Sequence, residues 1–185
     1  EVQYKEGGEI SKLYSVKYQI ENSNEYITIA TQRPETIMGD AGIAVNPNDR
    51  RYQHLVGKSA IIPFVNRRVP IIADEYVTMD FGTGCLKVTH AHDTNDYEIG
   101  LRHGLEIIDI IGLDGKLTSA CEVEKYNGMD RFEVRKQIVK DMKMMGILVN
   151  EEDFNTRIGR SERTDTVIEP KLSLQWFIKM KSISK

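Results

Sequence analysis

Two stretches of the chain gather side chains of the kind that do chemistry. The first is Thr31-Gln32-Arg33-Pro34-Glu35-Thr36, at the end of an expected strand. The second runs Gly82-Thr83-Gly84-Cys85-Leu86-Lys87-Val88-Thr89-His90-Ala91-His92-Asp93-Thr94-Asn95-Asp96. Lys87 falls within a strand, and His90 to Asp96 make the turn from that strand into a helix. Asp93 at the N-cap and Asp96 at N3 have a plain structural reading. A capping oxygen satisfies free N–H groups, and a carboxylate favours the positive end of the helix dipole. The same helix N-terminus can receive a phosphate or a developing oxyanion, so capping and chemistry do not exclude one another. A metal site is the rival. His90, His92, Asp93 and Asp96 lie within seven positions, and on an extended strand His90 and His92 would share a face. Against it, the usual metallo-hydrolase pattern has a further His directly after an Asp, where this chain has Asn95-Asp96. His54 and His103 are not placed to help.

Other chemistries have less support. No G-x-S-x-G elbow, P-loop or dinucleotide fingerprint occurs. Cys85, inside a strand, reads as an inert core residue. Arg157, Arg160 and Ser161-Glu162-Arg163-Thr164 read as a solvated strand face, or alternatively as contacts to a phosphate backbone.

The elements that must position these residues are mostly strands. Tyr14, Val16, Tyr18 and Ile20 alternate with Ser15, Lys17 and Gln19, which predicts a half-buried strand. Asn22-Ser23-Asn24 turns it into a second strand, Tyr26 to Thr31, and Arg33-Pro34-Glu35-Thr36 breaks that strand. Ile43-Ala44-Val45 is a short strand stopped by Asn46-Pro47-Asn48-Asp49. Ala60 to Phe64 and Val69 to Ile72 form a hairpin, with Pro63 and Pro70 at edges or bulges. Tyr76 to Thr89 holds two strand pieces around Gly82-Thr83-Gly84. A helix runs from Asp93 or Thr94 to His103, with Gly104 as its C-cap. Ile107 to Ile111 reads as a buried strand. Asp130-Arg131-Phe132-Glu133 has capping-box spacing and opens a helix, Arg131 to Met145, closed by Gly146. Its apolar face is Phe132, Ile138, Val139, Met142 and Met145. The last forty residues read as short strands that leave the domain. Strands outnumber helices and there is no βαβ rhythm. The expected fold is mainly β with some α, an antiparallel or mixed β-barrel decorated by a few helices.

Composition narrows the class of function. At about 150 residues per domain, 185 residues predict one domain. Lys+Arg 25 against Asp+Glu 28 gives a net charge of −3, which disfavours a globally basic nucleic-acid binder. No apolar run approaches the roughly 18 residues needed to span a bilayer. Two cysteines, neither with a C-x-x-C partner, exclude a disulfide scaffold and a zinc ribbon, and make a reducing cytoplasm the default compartment. The N-terminus carries no signal-peptide pattern.

Taken together, Thr31 to Thr36 and the run from Gly82 to Glu98 resemble the editing domain inserted into the class I aminoacyl-tRNA synthetases for valine, isoleucine and leucine. The order matches too: a T-x-R-P-E-T strand end, a G-T-G strand, then an A-H-D-x-x-D turn. The resemblance extends to Ser161-Glu162-Arg163, Glu169-Pro170 and Gln175-Trp176-Phe177, so it covers nearly the whole chain. Among the three, the chain is most similar to the valyl type. Isoleucyl enzymes usually carry Gly in place of Asp93, and leucyl enzymes usually carry Asp in place of Glu35 and Arg in place of Asn95. Arg131-Phe132-Glu133 and the Trp176-Phe177-Ile178-Lys179-Met180 exit are also similar to the valyl pattern. His90, where the family usually has Pro, and Gln32, often Thr or Val there, are departures.

The resemblance implies a β-barrel with peripheral helices. It implies one editing domain over residues 1–185, excised from a longer synthetase, whose ends are linker strands towards a Rossmann catalytic domain. Lys179-Met180-Lys181-Ser182 is only superficially similar to that domain's K-M-S-K-S motif. The implied activity is hydrolytic editing of threonyl-tRNA specific for valine, without aminoacylation by this piece. A valine pocket cannot strongly reject threonine, its isostere with a hydroxyl, so a second site must hydrolyse the product. The resemblance implies that Asp96 binds the substrate α-ammonium and Asp93 accepts from the threonyl hydroxyl. Thr31, Arg33 and Thr36 line the pocket and hold the 3′-terminal adenosine. Lys87 lies near the ester, and His92 orients the turn. The catalytic set is then Lys87, Asp96 and Thr36, with Asp93, Thr31, Arg33 and His92 binding substrate. Water is the nucleophile. No metal or cofactor is expected, ATP and magnesium serving only the catalytic domain. The expected partners are the 3′ end of the tRNA for valine and the rest of the synthetase in cis, in the cytoplasm, with no membrane. The alternatives are an isoleucyl or leucyl editing domain, a metal-dependent hydrolase using His90, His92, Asp93 and Asp96, and a non-catalytic RNA-binding barrel.

Overall fold

The computed structural model describes residues 1–173. Residues 174–185, which include the Trp176 to Met180 exit and Lys179-Met180-Lys181-Ser182, lie outside the described residues. The chain forms strands β1 (Val2–Gln3), β2 (Glu9–Ile20), β3 (Tyr26–Thr31), β4 (Gly42–Val45), β5 (Ser59–Ile61), β6 (Arg68–Ala73) and β7 (Cys85–Val88), then helix α1 (Thr94–His103), helix α2 (Arg131–Met144) and strands β8 (Leu148–Thr156) and β9 (Arg160–Ser161). Seven strands make one sheet in the order β3-β2-β5-β6-β4-β7, with β8 also on β2, while β1 and β9 pair separately. All ladders are antiparallel except the parallel β4–β6 pair. The outer strands β3 and β7 come together, and a Cβ on Gly82 would stand 2.9 Å from the Ala30 Cβ. The sheet therefore rolls into a nearly closed mixed β-barrel, as the strand-rich pattern predicts.

Alternation sets what faces inward. Val16, Tyr18 and Ile20 of β2 and Ile27 and Ile29 of β3 are buried and cross-paired, Val16 opposite Ile29 and Tyr18 opposite Ile27. On β7, Cys85 joins the barrel core with Ile43 and Val45, while Val88 packs outward with Ala44 and Ile99 under α1. Lys87 lies opposite Ile43 and two residues from Cys85, so the pleat turns a lysine towards the barrel interior. A fully buried 3₁₀ turn, Pro34–Gly39, follows β3 and is covered by α2 through Val134, Ile138 and Met142.

Several local expectations need correction. Tyr76 to Phe81 is not a strand: Asp74 captures the Tyr76 and Val77 amides, and Phe81 N–H closes a further turn on the Thr78 carbonyl. Ile107 to Ile111 is not a strand either. The Ile110 amide donates to the His92 imidazole instead of to a ladder, and only Ile111 makes an isolated bridge, to Leu117. The segment after α2 does not leave the domain at once, because β8 pairs along the first half of β2 from Glu9 to Val16. Pro70 sits in β6, which has neighbours on both sides. It is tolerated because the β4 register starts only at Ile71. Met145 is exposed, and Val134 takes its place on the buried face of α2.

Candidate active site

The two polar stretches meet across the mouth of the barrel. β3 ends at Thr31 and β7 at Val88, side by side, and each hands the chain to a tight turn. Between them and the segment Val167 to Pro170 lies a cleft of about 780 Å³. Thr31, Arg33, Thr36, Lys87, His92, Asp93 and Asp96, the seven residues singled out from the sequence, all line it.

Asp93 and Asp96 occupy the N-cap and N3 positions of α1. Asp93 Oδ1 accepts from the Asn95 amide at 2.8 Å and from the Asp96 amide at 3.3 Å. Its Oδ2 makes no hydrogen bond among the described residues, and the side chain is exposed. Capping thus uses one oxygen of the carboxylate and leaves the other open at the cleft. Asp96 is buried and turns back across the strand end, where its Oδ2 accepts from the Thr89 amide at 2.8 Å. No cation pairs with it among the described residues. Burial, reinforced by the nearby Asp93 charge against the opposing pull of Lys87, pushes the Asp96 carboxyl up to about 7.

His92 is buried, and its Nε2 lies 3.1 Å from the Ile110 amide. A backbone amide only donates, so Nε2 accepts and the imidazole proton resides on Nδ1. Nδ1 makes no hydrogen bond among the described residues and lies 3.7 Å from Glu169 Oε1. Burial, helped by the Arg33 and Lys87 charges, pulls the His92 pKa down to about 4. His90 points elsewhere. It is buried with both ring nitrogens unpartnered, and a Cβ on Gly100 would lie 2.5 Å from its ring, so it packs flat against α1. The proposed metal set therefore does not converge, and no group of three potential ligands does so among the described residues.

Arg33 is committed within the domain. Nε donates to Glu35 at 3.2 Å, Nη1 to the His92 carbonyl at 3.1 Å, and Nη2 to both Glu169 oxygens at 2.7 Å. Arg135 takes the other side of Glu35 at 2.6 Å, and Arg131 pairs with Glu169 at 3.2 Å. Burial would raise the Glu35 carboxyl, but the Arg135 and Arg33 guanidinium groups hold it below its ordinary value. Arg131, Arg135 and Glu169 were not anticipated as cleft residues. Cys85 is inert, its thiol pushed up to about 11 by burial.

A sequence model described as the leucyl-tRNA synthetase editing domain matches residues 51–169, more than half of the chain and including the turn into α1. The chain belongs to this editing-domain family. Among curated relatives, the valine–tRNA ligase of Christiangramia forsetii is 53% identical over 185 residues, covering 100% of this chain and 21% of the relative. That of Porphyromonas gingivalis is 54% identical over 186 residues, again with 100% of this chain and 21% of the relative covered. The chain thus spans about a fifth of the length of these relatives. A leucyl-tRNA synthetase from Agrobacterium radiobacter K84, solved in a ternary complex with tRNA and LeuAMS, shares the fold. Its TM-score is 0.60 at 18% identity, covering 82% of this chain and 21% of that one. The GlLeuRS CP1 domain gives a TM-score of 0.57 at 13% identity, over 75% of this chain and 98% of that one.

Sequence reasoning about the editing domain missed Asp40. It follows the 3₁₀ turn, is fully buried, and does not line the cleft. Its Oδ1 lies 3.0 Å from Lys87 Nζ and accepts from Thr89 Oγ1 at 2.6 Å, while its Oδ2 accepts from the Tyr18 hydroxyl at 2.6 Å. Lys87 also donates to Thr36 at 2.9 Å and to Thr89. The signal was available, since Asp40 is the one charged residue between Thr36 and Val45.

Proposed function

We propose that this editing domain hydrolyses a mischarged aminoacyl-tRNA, threonine esterified to the tRNA for valine. The observation that carries the reading is Asp96, a buried, cleft-facing carboxyl bound among the described residues by one amide, with its pKa raised to about 7. Such a group gains most from an arriving cation, and an aminoacyl ester presents one, the α-ammonium. Once that ammonium sits on Asp96, the amino acid lies at the N-terminus of α1. The second oxygen of Asp93 is then free to accept from the threonyl hydroxyl. Valine would cover the same oxygen with a methyl group and leave it without a partner. The exposure of Asp93 means that this penalty arises only when the substrate covers it.

The ester carbonyl then lies over the floor formed by Thr36, Lys87 and Thr89. Water adds to the carbonyl carbon, negative charge develops on the carbonyl oxygen, and the Lys87 ammonium stabilises it. Collapse breaks the ester bond and releases the terminal ribose hydroxyl. Asp96, once deprotonated by its ionic contact, stays a recognition group. No covalent intermediate, metal or cofactor takes part, and ATP and magnesium belong to the aminoacylation reaction. The partners are the 3′ end of the tRNA for valine and the remainder of a longer synthetase, acting in the cytoplasm. No described helix is long and apolar enough to cross a membrane.

The test is hydrolysis of threonyl-tRNA beside valyl-tRNA, both on the tRNA for valine, with and without a chelator. Fast, chelator-insensitive loss of the threonyl ester with valyl ester spared is expected. Equal rates, or activity abolished by the chelator, overturn the reading.

A further inference from the structure

We propose that Asp40 is a positioning residue of the site, its carboxylate fixing the Lys87 ammonium and the Thr36 and Thr89 hydroxyls on the floor of the cleft. The inference rests on the deacylase reading above and adds a residue that never touches substrate.

The hydrogen bonds admit one assignment. The Tyr18 hydroxyl donates to Asp40 Oδ2 at 2.6 Å, and the Thr89 hydroxyl donates to Asp40 Oδ1 at 2.6 Å. The Thr36 hydroxyl donates to the Arg33 carbonyl at 2.9 Å. Both threonine oxygens can then only accept from Lys87, whose three ammonium hydrogens go to Thr36, Asp40 and Thr89. Every proton in the network is committed, so the ammonium is held in one position. Asp40 itself is anchored from below by Tyr18, deep in the core and fully buried. Lys87, Thr36 and Thr89 reach the cleft, whereas Asp40 and Tyr18 do not. An ammonium whose stem lies in an apolar barrel needs a counter-charge beside it. Asp40 supplies that charge from the side away from the substrate, leaving the threonine side of the ammonium to be exchanged for a substrate oxygen.

A structural ion pair would stabilise the fold without shaping the rate, and the test must separate the two. The 185-residue chain would be prepared as wild type, Asp40→Asn, Lys87→Met, the double variant Asp40→Asn with Lys87→Met, and Tyr18→Phe. The rate constant and KM for threonyl-tRNA would be measured at about pH 7.5, with circular dichroism to check folding. Asp40→Asn should lower kcat on the order of 10-fold or more with KM little changed. The double variant should be no slower than Lys87→Met, because Asp40 acts through Lys87. Tyr18→Phe keeps both charges and should cost several-fold in kcat, and it decides the matter if Asp40→Asn does not fold. A folded Asp40→Asn with wild-type kcat overturns the proposal, as do losses that multiply in the double variant. If Asp40→Asn does not fold, wild-type kcat in Tyr18→Phe overturns it. Full activity in Lys87→Met removes its basis, whereas a wild-type domain inert towards threonyl-tRNA refutes the deacylase reading itself.

Discussion

Asp96→Asn should make the domain more stable above neutral pH while destroying its activity. The carboxyl rises from 3.8 to about 7 on folding because burial disfavours its charge more than Lys87 favours it. Below about pH 4 both native and unfolded states hold the proton. Between pH 4 and 7 the unfolded chain releases it and the native state keeps it, so the native state binds more protons and stability falls as pH rises. Above pH 7 the native carboxyl ionises and the loss is complete. A rise from 3.8 to about 7 corresponds to about 4 kcal/mol at about 1.4 kcal/mol per pH unit. Asparagine does not titrate, and its Oδ1 can still accept from the Thr89 amide. Urea denaturation of both proteins at pH 4.5, 6, 7.5 and 9 gives the difference directly, and titrations shared by both proteins cancel. The variant should exceed wild type by about 1 kcal/mol at pH 4.5, where the unfolded carboxyl is already mostly ionised, and by about 3 kcal/mol at pH 9. That figure allows for up to about 1 kcal/mol of lost attraction to the α1 dipole. Threonyl-tRNA hydrolysis should fall on the order of 10²-fold in the same variant, as expected where a strained group is kept for function. A difference that does not change with pH, or an Asp96→Asn less stable at pH 9, would refute the reasoning.

Two further outcomes follow from the cleft geometry. Asp93→Ala removes both the α1 cap and the hydroxyl acceptor. It should cost about 1 kcal/mol of stability and narrow the preference for threonyl- over valyl-tRNA by about 10-fold or more. A preserved preference in that variant would leave Asp93 with capping alone. Glu35→Ala leaves Arg33 and Arg135 facing one another and should destabilise the domain by about 3 kcal/mol in urea denaturation. That is the low end for a broken buried ion pair, because both arginines keep 27% of their side-chain surface in water.

Where neighbours in the chain decide the structure, the sequence was readable. α1 begins and ends where Asp93 and Gly104 place its caps, and the β2–β3 and β5–β6 hairpins follow from apolar alternation broken by turn residues. Where distant partners decide, it was not. β8, within the stretch read as short strands that leave the domain, carries Asn150-Glu151-Glu152-Asp153 and no apolar stripe, yet it stays in the sheet because the first half of β2 has a free edge. Ile107 to Ile111 has strand composition, but the Ile110 amide is taken by His92 and its carbonyl by the Thr118 amide. The seven site residues were found through motifs, and the barrel closure of β3 on β7 brings them to one cleft. What no motif carried was how the residues behind them pair. Glu169 holds Arg33 from 136 positions away, and Asp40 holds Lys87 from 47 positions away. Both are contacts of the folded barrel, absent from any local pattern.

The central claim is that Asp96 waits in the cleft as an unpaired acid for the α-ammonium of the aminoacyl ester. Carbon-detected NMR titration of its carboxyl in the 185-residue chain measures this without relying on turnover. It would be run free and with a non-hydrolysable threonyl-amide analogue of the 3′-terminal adenosine. The account predicts a midpoint near 7 in the free domain, dropping by at least about two pH units when the analogue binds. A free carboxyl titrating near 4, or a midpoint unmoved by a bound analogue, would contradict it.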